Sequence, residues 1–197
     1  MDLFSNNEIR NAFSIACIYP KNTFVYHEDD LCERIGYVIS GELALIHYTK
    51  DGNARILAKL KTGQIFGDFL INSTNNHYPG DLITLSDCEI VFLDKPGIDK
   101  LLICNEDFRR YYLQELSDKA LKLNYHNKIL IQSTLREKIL MYLNQETSRL
   151  NSSRVPLTTK EALADYLNVA RPSLSRELAL MKKAGLLDYD KRYIYCL

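Results

Sequence analysis

From about residue 15 to residue 94, apolar positions fall in short runs rich in β-branched and aromatic residues, broken by polar and turn-forming Gly, Asp and Asn. The runs are Thr23 to Tyr26, Gly36 to Ser40, Leu43 to Tyr48, Arg55 to Leu60, Asp81 to Leu85 and Glu89 to Leu93. Short β-branched and aromatic runs bounded by turn residues read as strands, so this half is a small antiparallel β unit. Ser40-Gly41-Glu42 and Lys50-Asp51-Gly52-Asn53 join neighbouring runs, and Asp-Gly is a strong hairpin signal because both residues accept positive φ. These turns predict a meander through strands near residues 39, 43, 48 and 55.

The pattern changes near Lys95-Pro96-Gly97. No Gly follows until Gly185, and only two prolines do, which is the composition of helices. A short helix is predicted over Asp99 to Cys104 and a long one from Asn105 to about Gln132. Asn105 is its N-cap, with Glu106 and Asp107 in the first turn, where negative charge suits the helix dipole. Along it Leu113, Leu116, Ala120, Leu123, Asn127 and Leu130 recur at spacings of three and four, a heptad seam. A single Asn at an a position fixes the register of a two-stranded parallel pair, because an amide buried in any other register loses its partner. The stripe can pack on its own β unit or on a second subunit. Phe108, Tyr111, Tyr112, Tyr125 and Ile129 lie off the seam and are available to cover the β unit, which favours a homodimer through the seam.

A further helix is predicted from Leu135 to about Arg149, capped by Ser133 or Thr134, with Leu135, Ile139, Tyr142 and Leu143 on one face. Asn151-Ser152-Ser153-Arg154 reads as a loop and Val155 to Leu157 as a short strand at most. Residues 158 to 184 then form two short amphipathic helices meeting at Leu167-Asn168-Val169-Ala170. Ala162, Leu163, Leu167, Val169, Leu174 and Leu178 supply the inner contact of a helix-turn-helix. Asn168 stands where a left-handed residue is wanted, and Pro172 in the first turn of the second helix, where its missing N–H costs nothing.

Arg171, Ser173, Ser175 and Arg176 project from the start of that second helix. Arg can donate two parallel hydrogen bonds to guanine O6 and N7, and Ser can reach a phosphate or a base edge. Arg171 and Arg176 are therefore candidate base readers, the alternative being ordinary solvated charges. Past Gly185, Leu186 to Tyr189, the turn Asp190-Lys191-Arg192 and the strand Tyr193 to Cys196 make a hairpin, a wing whose tip presents Lys191 and Arg192 to a phosphate backbone.

Charge sharpens this division. Lys plus Arg and Asp plus Glu both number 25, so the chain as a whole has no net charge. Residues 1 to 132 nevertheless carry a net of −4 and residues 133 to 197 a net of +4. The N-terminus lacks a signal-peptide pattern and no apolar run approaches a membrane span, so a cytoplasmic location with no membrane partner is expected. Cys17, Cys32, Cys88, Cys104 and Cys196 are widely spaced without a CxxC pair, and reduced thiols and no metal site are expected. No GxSxG, HExxH or P-loop pattern supports an enzyme.

The order of β unit, long helix and winged helix-turn-helix resembles the Crp/Fnr family of bacterial transcription regulators. Tyr37 to Leu43, Gly63 to Asp68, Asp87 to Ile90 and above all Arg171-Pro172-Ser173-Leu174-Ser175-Arg176-Glu177-Leu178 carry the resemblance. It implies an α+β architecture with an N-terminal antiparallel β-roll of the cyclic-nucleotide-binding type, a long dimerisation helix and a C-terminal winged helix-turn-helix. The expected boundaries are 1–104, 105–132 and 133–197. It implies a homodimer on a two-fold symmetric site in double-stranded DNA, with a small-molecule or redox signal in the β-roll. RNA polymerase and a small-molecule effector are further candidate partners. The competing function is a ligand-sensing or protein-interaction module whose winged helix does not read DNA.

Cyclic-nucleotide members of the family begin a cassette with Gly-Glu-Leu and end it with Arg followed by Ser or Thr, because a cyclic phosphate needs a guanidinium and a hydroxyl at close range. Here the cassette begins Gly67-Asp68-Phe69, and Tyr78-Pro79 stand where Arg and Ser would. The helix positions that contact adenine correspond to Leu123 and Asn124. Effector-pocket candidates are thus Gly67, Asp68, Phe69, His77, Tyr78, Leu123 and Asn124. A cyclic nucleotide is not expected, no cofactor is predicted and the effector is unidentified. An iron–sulfur cluster would need four thiolates, of which only Cys17 and Cys32 lie near the N-terminus. His27, His47, His77 and His126, the conceivable haem ligands, read as ordinary hydrogen-bonded residues. Pro172 occupies a position that holds a base-reading Glu in several family members, so their target sequence does not transfer.

Overall fold

The computed structural model describes residues 6–49, 52, 54–157 and 159–196. The chain divides into two compact units, Met1–Asp118 and Lys119–Leu197. The first opens with a helix absent from the sequence reading, α1 (Asn7–Ala12), whose amides on Glu8 and Ile9 donate to the Asn6 side chain. One and a half turns are too short for periodicity to reveal. What holds it is burial of Ile9 and Phe13 in the unit's core.

Eight strands follow: β1 (Cys17–Tyr19), β2 (Phe24–Tyr26), β3 (Arg34–Ser40), β4 (Glu42–Tyr48), β5 (Ala54–Lys61), β6 (Ile65–Phe66), β7 (Asp81–Thr84) and β8 (Cys88–Asp94). They form two antiparallel four-stranded sheets, ordered β1-β8-β3-β6 and β2-β7-β4-β5. The six strand runs of the sequence are all present, and β1 and β6 are additional.

The predicted meander is only half correct. β4 and β5 pair from Glu42↔Lys61 to Tyr48↔Ala54, but β3 pairs with β6 and β8 and not with β4. At Gly41 the chain crosses from one sheet to the other. This residue takes φ +94°, and a Cβ there would stand 2.4 Å from the Asp87 carbonyl oxygen. A turn residue marks a change of direction and says nothing about whether the ladder continues. The second turn, Lys50-Asp51-Gly52-Asn53, lies outside the described residues except for Gly52, whose amide donates to the Thr49 carbonyl oxygen at 2.8 Å.

Between the sheets lie Ile35, Val38, Leu43, Ile65, Leu82, Ile90 and Leu93, all essentially inaccessible. α2 (Lys95–Cys104) starts four residues earlier than predicted, because Asp94 caps it through Gly97 N–H and Pro96 sits in its first turn. The Pro-Gly pair at which the pattern changes is itself inside the first turn of the helix. α3 (Glu106–Leu130) begins as expected, with the Asn105 side chain accepting from Phe108 N–H at 2.9 Å. Phe108 and Tyr112 are buried in this unit's core and Tyr111 packs against it.

The second unit holds the rest of α3, then α4 (Leu135–Leu150), β9 (Arg154–Pro156), α5 (Lys160–Tyr166), α6 (Arg171–Lys183), β10 (Leu187–Tyr189) and β11 (Tyr193–Cys196). Thr134 caps α4 with a full capping box to Glu137. β9, β10 and β11 make a three-stranded sheet in the order β10-β11-β9, so the strand before the helix-turn-helix completes the wing. Ile129 is fully buried in this second core and does not cover the β unit, and Tyr125 is exposed, against the expectation for both. A helical pattern identifies an apolar position without naming the core it enters. Within the helix-turn-helix Ala162 is exposed and Ala164 is the buried small residue.

Close approach in the first core gives a direct test. A Cβ on Gly36 would fall 2.0 Å from Cζ of the buried Phe66 ring, which also meets Phe92 edge-on. Gly36→Ala is expected to lower stability by about 1 to 3 kcal/mol through overpacking, measured by urea denaturation followed by far-ultraviolet circular dichroism.

Candidate functional site

The helix-turn-helix is built by burial. Leu174, Leu178 and Met181 of α6, with Leu163, Ala164 and Leu167 from α5 and its end, are at most 5% exposed. Between the helices Asn168 takes φ +51°, the left-handed conformation expected of it. At about 100° per residue, the buried ridge Leu174–Leu178–Met181 turns Pro172, Arg176 and Lys183 to the opposite, solvent side. Ser173 is exposed, Ser175 half-buried and Arg171 exposed at the first position of the helix. Among the described residues no side chain caps the N-terminus of α6, whose N-cap is Ala170. The Arg171 and Ser173 amides there have no acceptor within the helix, which leaves donors open to a phosphate.

The two arginines differ in their surroundings. Arg171 Nε lies 2.6 Å from Glu161 Oε1, an ion pair between the two helices with both side chains more than half exposed. Arg176 has no ion-pair partner among the described residues and stands near the middle of the solvent face. Its neighbour Glu177 accepts from Arg136 Nε at 2.7 Å, which ties α6 to α4 from the other side.

At the wing, the Asp190 carboxylate accepts from the amides of Arg192 (2.6 Å) and Tyr193 (2.8 Å) and from the Tyr195 hydroxyl (2.8 Å). Those donors hold the carboxyl below the usual carboxylate range, the Arg192 amide foremost. The turn is thereby shaped by its own acid, with Lys191 and Arg192 exposed at the tip. The Arg154 guanidinium lies 4.3 Å from the Tyr193 ring centroid on the adjoining strand. Arg154, Lys183 and Glu161 were missed by sequence reasoning. Arg154 lies in a stretch with the composition of a loop and becomes part of the wing sheet only through the pairing of β9 with β11.

In the first unit the cassette residues do not frame one open site. Asp68 is buried, Phe69 half-exposed and His77 exposed with its Nδ1 3.1 Å from Asn75 Oδ1. Tyr78 is 3% exposed, stacked on Tyr26 at 4.3 Å, with its hydroxyl 3.7 Å from Cys32 Sγ. Cys32 in turn lies 3.5 Å from the Gly67 carbonyl oxygen. Burial pushes both the Tyr78 phenol and the Cys32 thiol upward, so both stay protonated at neutral pH. Tyr112 donates to the Asp68 carbonyl oxygen at 2.7 Å and is pushed up to about 12, mainly by burial. The position family likeness assigns to a phosphate-binding Arg thus carries a core aromatic. Leu123 and Asn124 are exposed and belong to the second unit. Along α3, Leu113, Ala120, Leu123 and Asn127 are exposed in the single chain, and Leu116 and Leu130 are partly covered.

Among the described residues no group of three or more His, Cys, Asp or Glu is placed to hold a metal. His27 and His47 lie beside Asp81 and Glu28, and His126 Nε2 is 2.7 Å from the Tyr166 carbonyl oxygen. No helix among the described residues is long and apolar enough to cross a membrane.

The structure is a two-sheet β unit together with a winged helix-turn-helix, and comparison with known families agrees. The cyclic nucleotide-binding domain model matches residues 17–103 and the Crp-like helix-turn-helix domain model residues 137–197. The chain belongs to the Crp/Fnr family of DNA-binding transcription regulators. The anaerobic regulatory protein of Bacillus subtilis is 24% identical over 96% of this chain and 83% of that protein. The nitrogen fixation regulation protein FixK of Azorhizobium caulinodans is 23% identical over 90% and 73%. The solved structure of the c-di-GMP responsive global regulator CLP of Xanthomonas campestris superposes with a TM-score of 0.67 at 19% identity, covering 96% of each chain.

The Asp190 cradle has a testable consequence. Because its folded-state carboxyl is held below the usual carboxylate range, the order it confers is complete at neutral pH and lost only in acid, as pH falls through that lowered range. Asp190→Ala is expected to speed hydrogen exchange of the Arg192 and Tyr193 amides at pH 7, while the Leu174 and Leu178 amides stay protected, as read by NMR.

Proposed function

We propose that the protein is a homodimeric, sequence-specific DNA-binding regulator whose α6 enters the major groove and whose wing grips the flanking backbone. In this reading residues 1–104 sense, 105–132 dimerise and 133–197 bind DNA. The observation that carries it is Arg176, exposed on the face of α6 opposite the buried ridge and free of any ion pair among the described residues. A guanidinium so placed meets a guanine edge with all its donors available. Arg171, Ser173 and Ser175 flank it, and Lys191 and Arg192 supply sequence-independent attraction.

For dimerisation the support is the apolar seam of α3. Leu113 is 56% exposed and Leu123 62% exposed in the single chain, and Asn127 stands between Leu123 and Leu130. Apolar surface at heptad spacing gains most by covering itself with a second copy. For the signal, the support is Tyr78: an aromatic ring in the core at the phosphate-binding position of the cassette argues for an effector other than a cyclic nucleotide.

Two outcomes test the reading. Arg176→Ala is expected to weaken binding to a specific duplex by about 1 to 3 kcal/mol and to relax preference at the base pair it reads; an unchanged isotherm removes Arg176 from the interface. Leu116→Asp with Leu123→Asp is expected to leave a folded monomer by light scattering, and a persisting dimer refutes the seam.

A further inference from the structure

Glu161 is out of place on electrostatic grounds. It lies in the first turn of α5, the helix that crosses the phosphate backbone in a docked helix-turn-helix. A carboxylate there repels phosphates and weakens every DNA complex, specific or not. Its position does suit the dipole of α5, but an exposed pair of this kind adds little to folding. What distinguishes it is its cation: Arg171, the first residue of α6, with Nε 2.6 Å from Glu161 Oε1.

Arg offers two edges to an acceptor pair. One is Nε with one terminal nitrogen, and the other is the two terminal nitrogens together. Glu161 makes its closest approach at Nε, an ion pair that draws this edge of the guanidinium toward α5 and favours the edge of the two terminal nitrogens for contact with a base. Arg176, six positions into the helix, has no such tether. One reader is paired with a carboxylate and the other has no ion-pair partner among the described residues.

Resting on the reading of α6 as a DNA-recognition helix, we infer that Glu161 is a positioning residue that orients Arg171 for bidentate contact with one base pair. It lowers affinity for all DNA and raises discrimination at that position. Repulsion against wrong sites, combined with an oriented donor pair for the right one, is how a charge produces specificity rather than affinity.

The test uses the full-length dimer as wild type, Glu161→Gln, Arg171→Ala and the double variant. Each is titrated against the selected duplex, its single-base variants and an unrelated duplex at fixed salt. Glu161→Gln is expected to tighten binding to the unrelated duplex several-fold and to reduce discrimination about fivefold at one base pair only. That pair is the one at which Arg171→Ala abolishes preference. In the Arg171→Ala background, Glu161→Gln should then tighten binding to every duplex by a similar factor and leave discrimination unchanged. Preserved discrimination in Glu161→Gln, an equal loss at every position, or the same loss in the absence of Arg171 each overturns the inference. A wild-type dimer without any sequence preference instead overturns the DNA-reading function on which it rests.

Discussion

Everything the second unit does depends on the burial of one ridge of α6. Leu174, Leu178 and Met181 are fully inaccessible, and each such side chain is worth roughly 1.5 to 3 kcal/mol when taken out of water. That burial fixes the rotation of the helix about its own axis and so commits Arg176 and Lys183 to solvent. Had the ridge lain one residue further along, about 100° of rotation would have carried Arg176 toward the flank. Polar recognition here is a by-product of apolar packing, reinforced by ties from Arg136 to Glu177 and from Glu161 to Arg171.

The first unit shows the same logic with a different result. Its two sheets close over large aliphatic and aromatic side chains, and the loop between β6 and β7 sends Tyr78 inward to join them. Tyr78, Tyr26 and Cys32 form one contact chain from the cassette to the strands around it.

Much of this was legible in the order of residues, for reasons that differ by element. Strands β2, β3, β4, β5, β7 and β8 are visible because each is a short run rich in β-branched and aromatic residues between turn residues, even though β3 and β8 hold four consecutive buried residues and β5 is exposed along nearly all its length. The helix-turn-helix was visible because Asn168, Pro172 and the leucine ridge satisfy independent requirements at fixed spacing. The failures are equally specific. α1 is too short to show a period. The crossing at Gly41 depends on which sheet receives β4, a long-range choice that local turn chemistry does not encode. Ile129 was assigned to the wrong core because helical periodicity gives a face and not a neighbour. Glu161 and Arg154 matter only through partners, Arg171 and Tyr193, that tertiary structure brings to them.

The central claim is that α6 reads DNA sequence from a symmetric pair of subunits. The most direct measurement is selection of bound duplexes from a fragmented genomic library by the purified, ligand-free protein, followed by sequencing of the retained fraction. The account predicts an enriched inverted repeat with half-sites about one helical turn, roughly 34 Å, apart. A folded dimer that retains fragments without any shared sequence, or retains none with or without cell extract added as a source of effector, would contradict it.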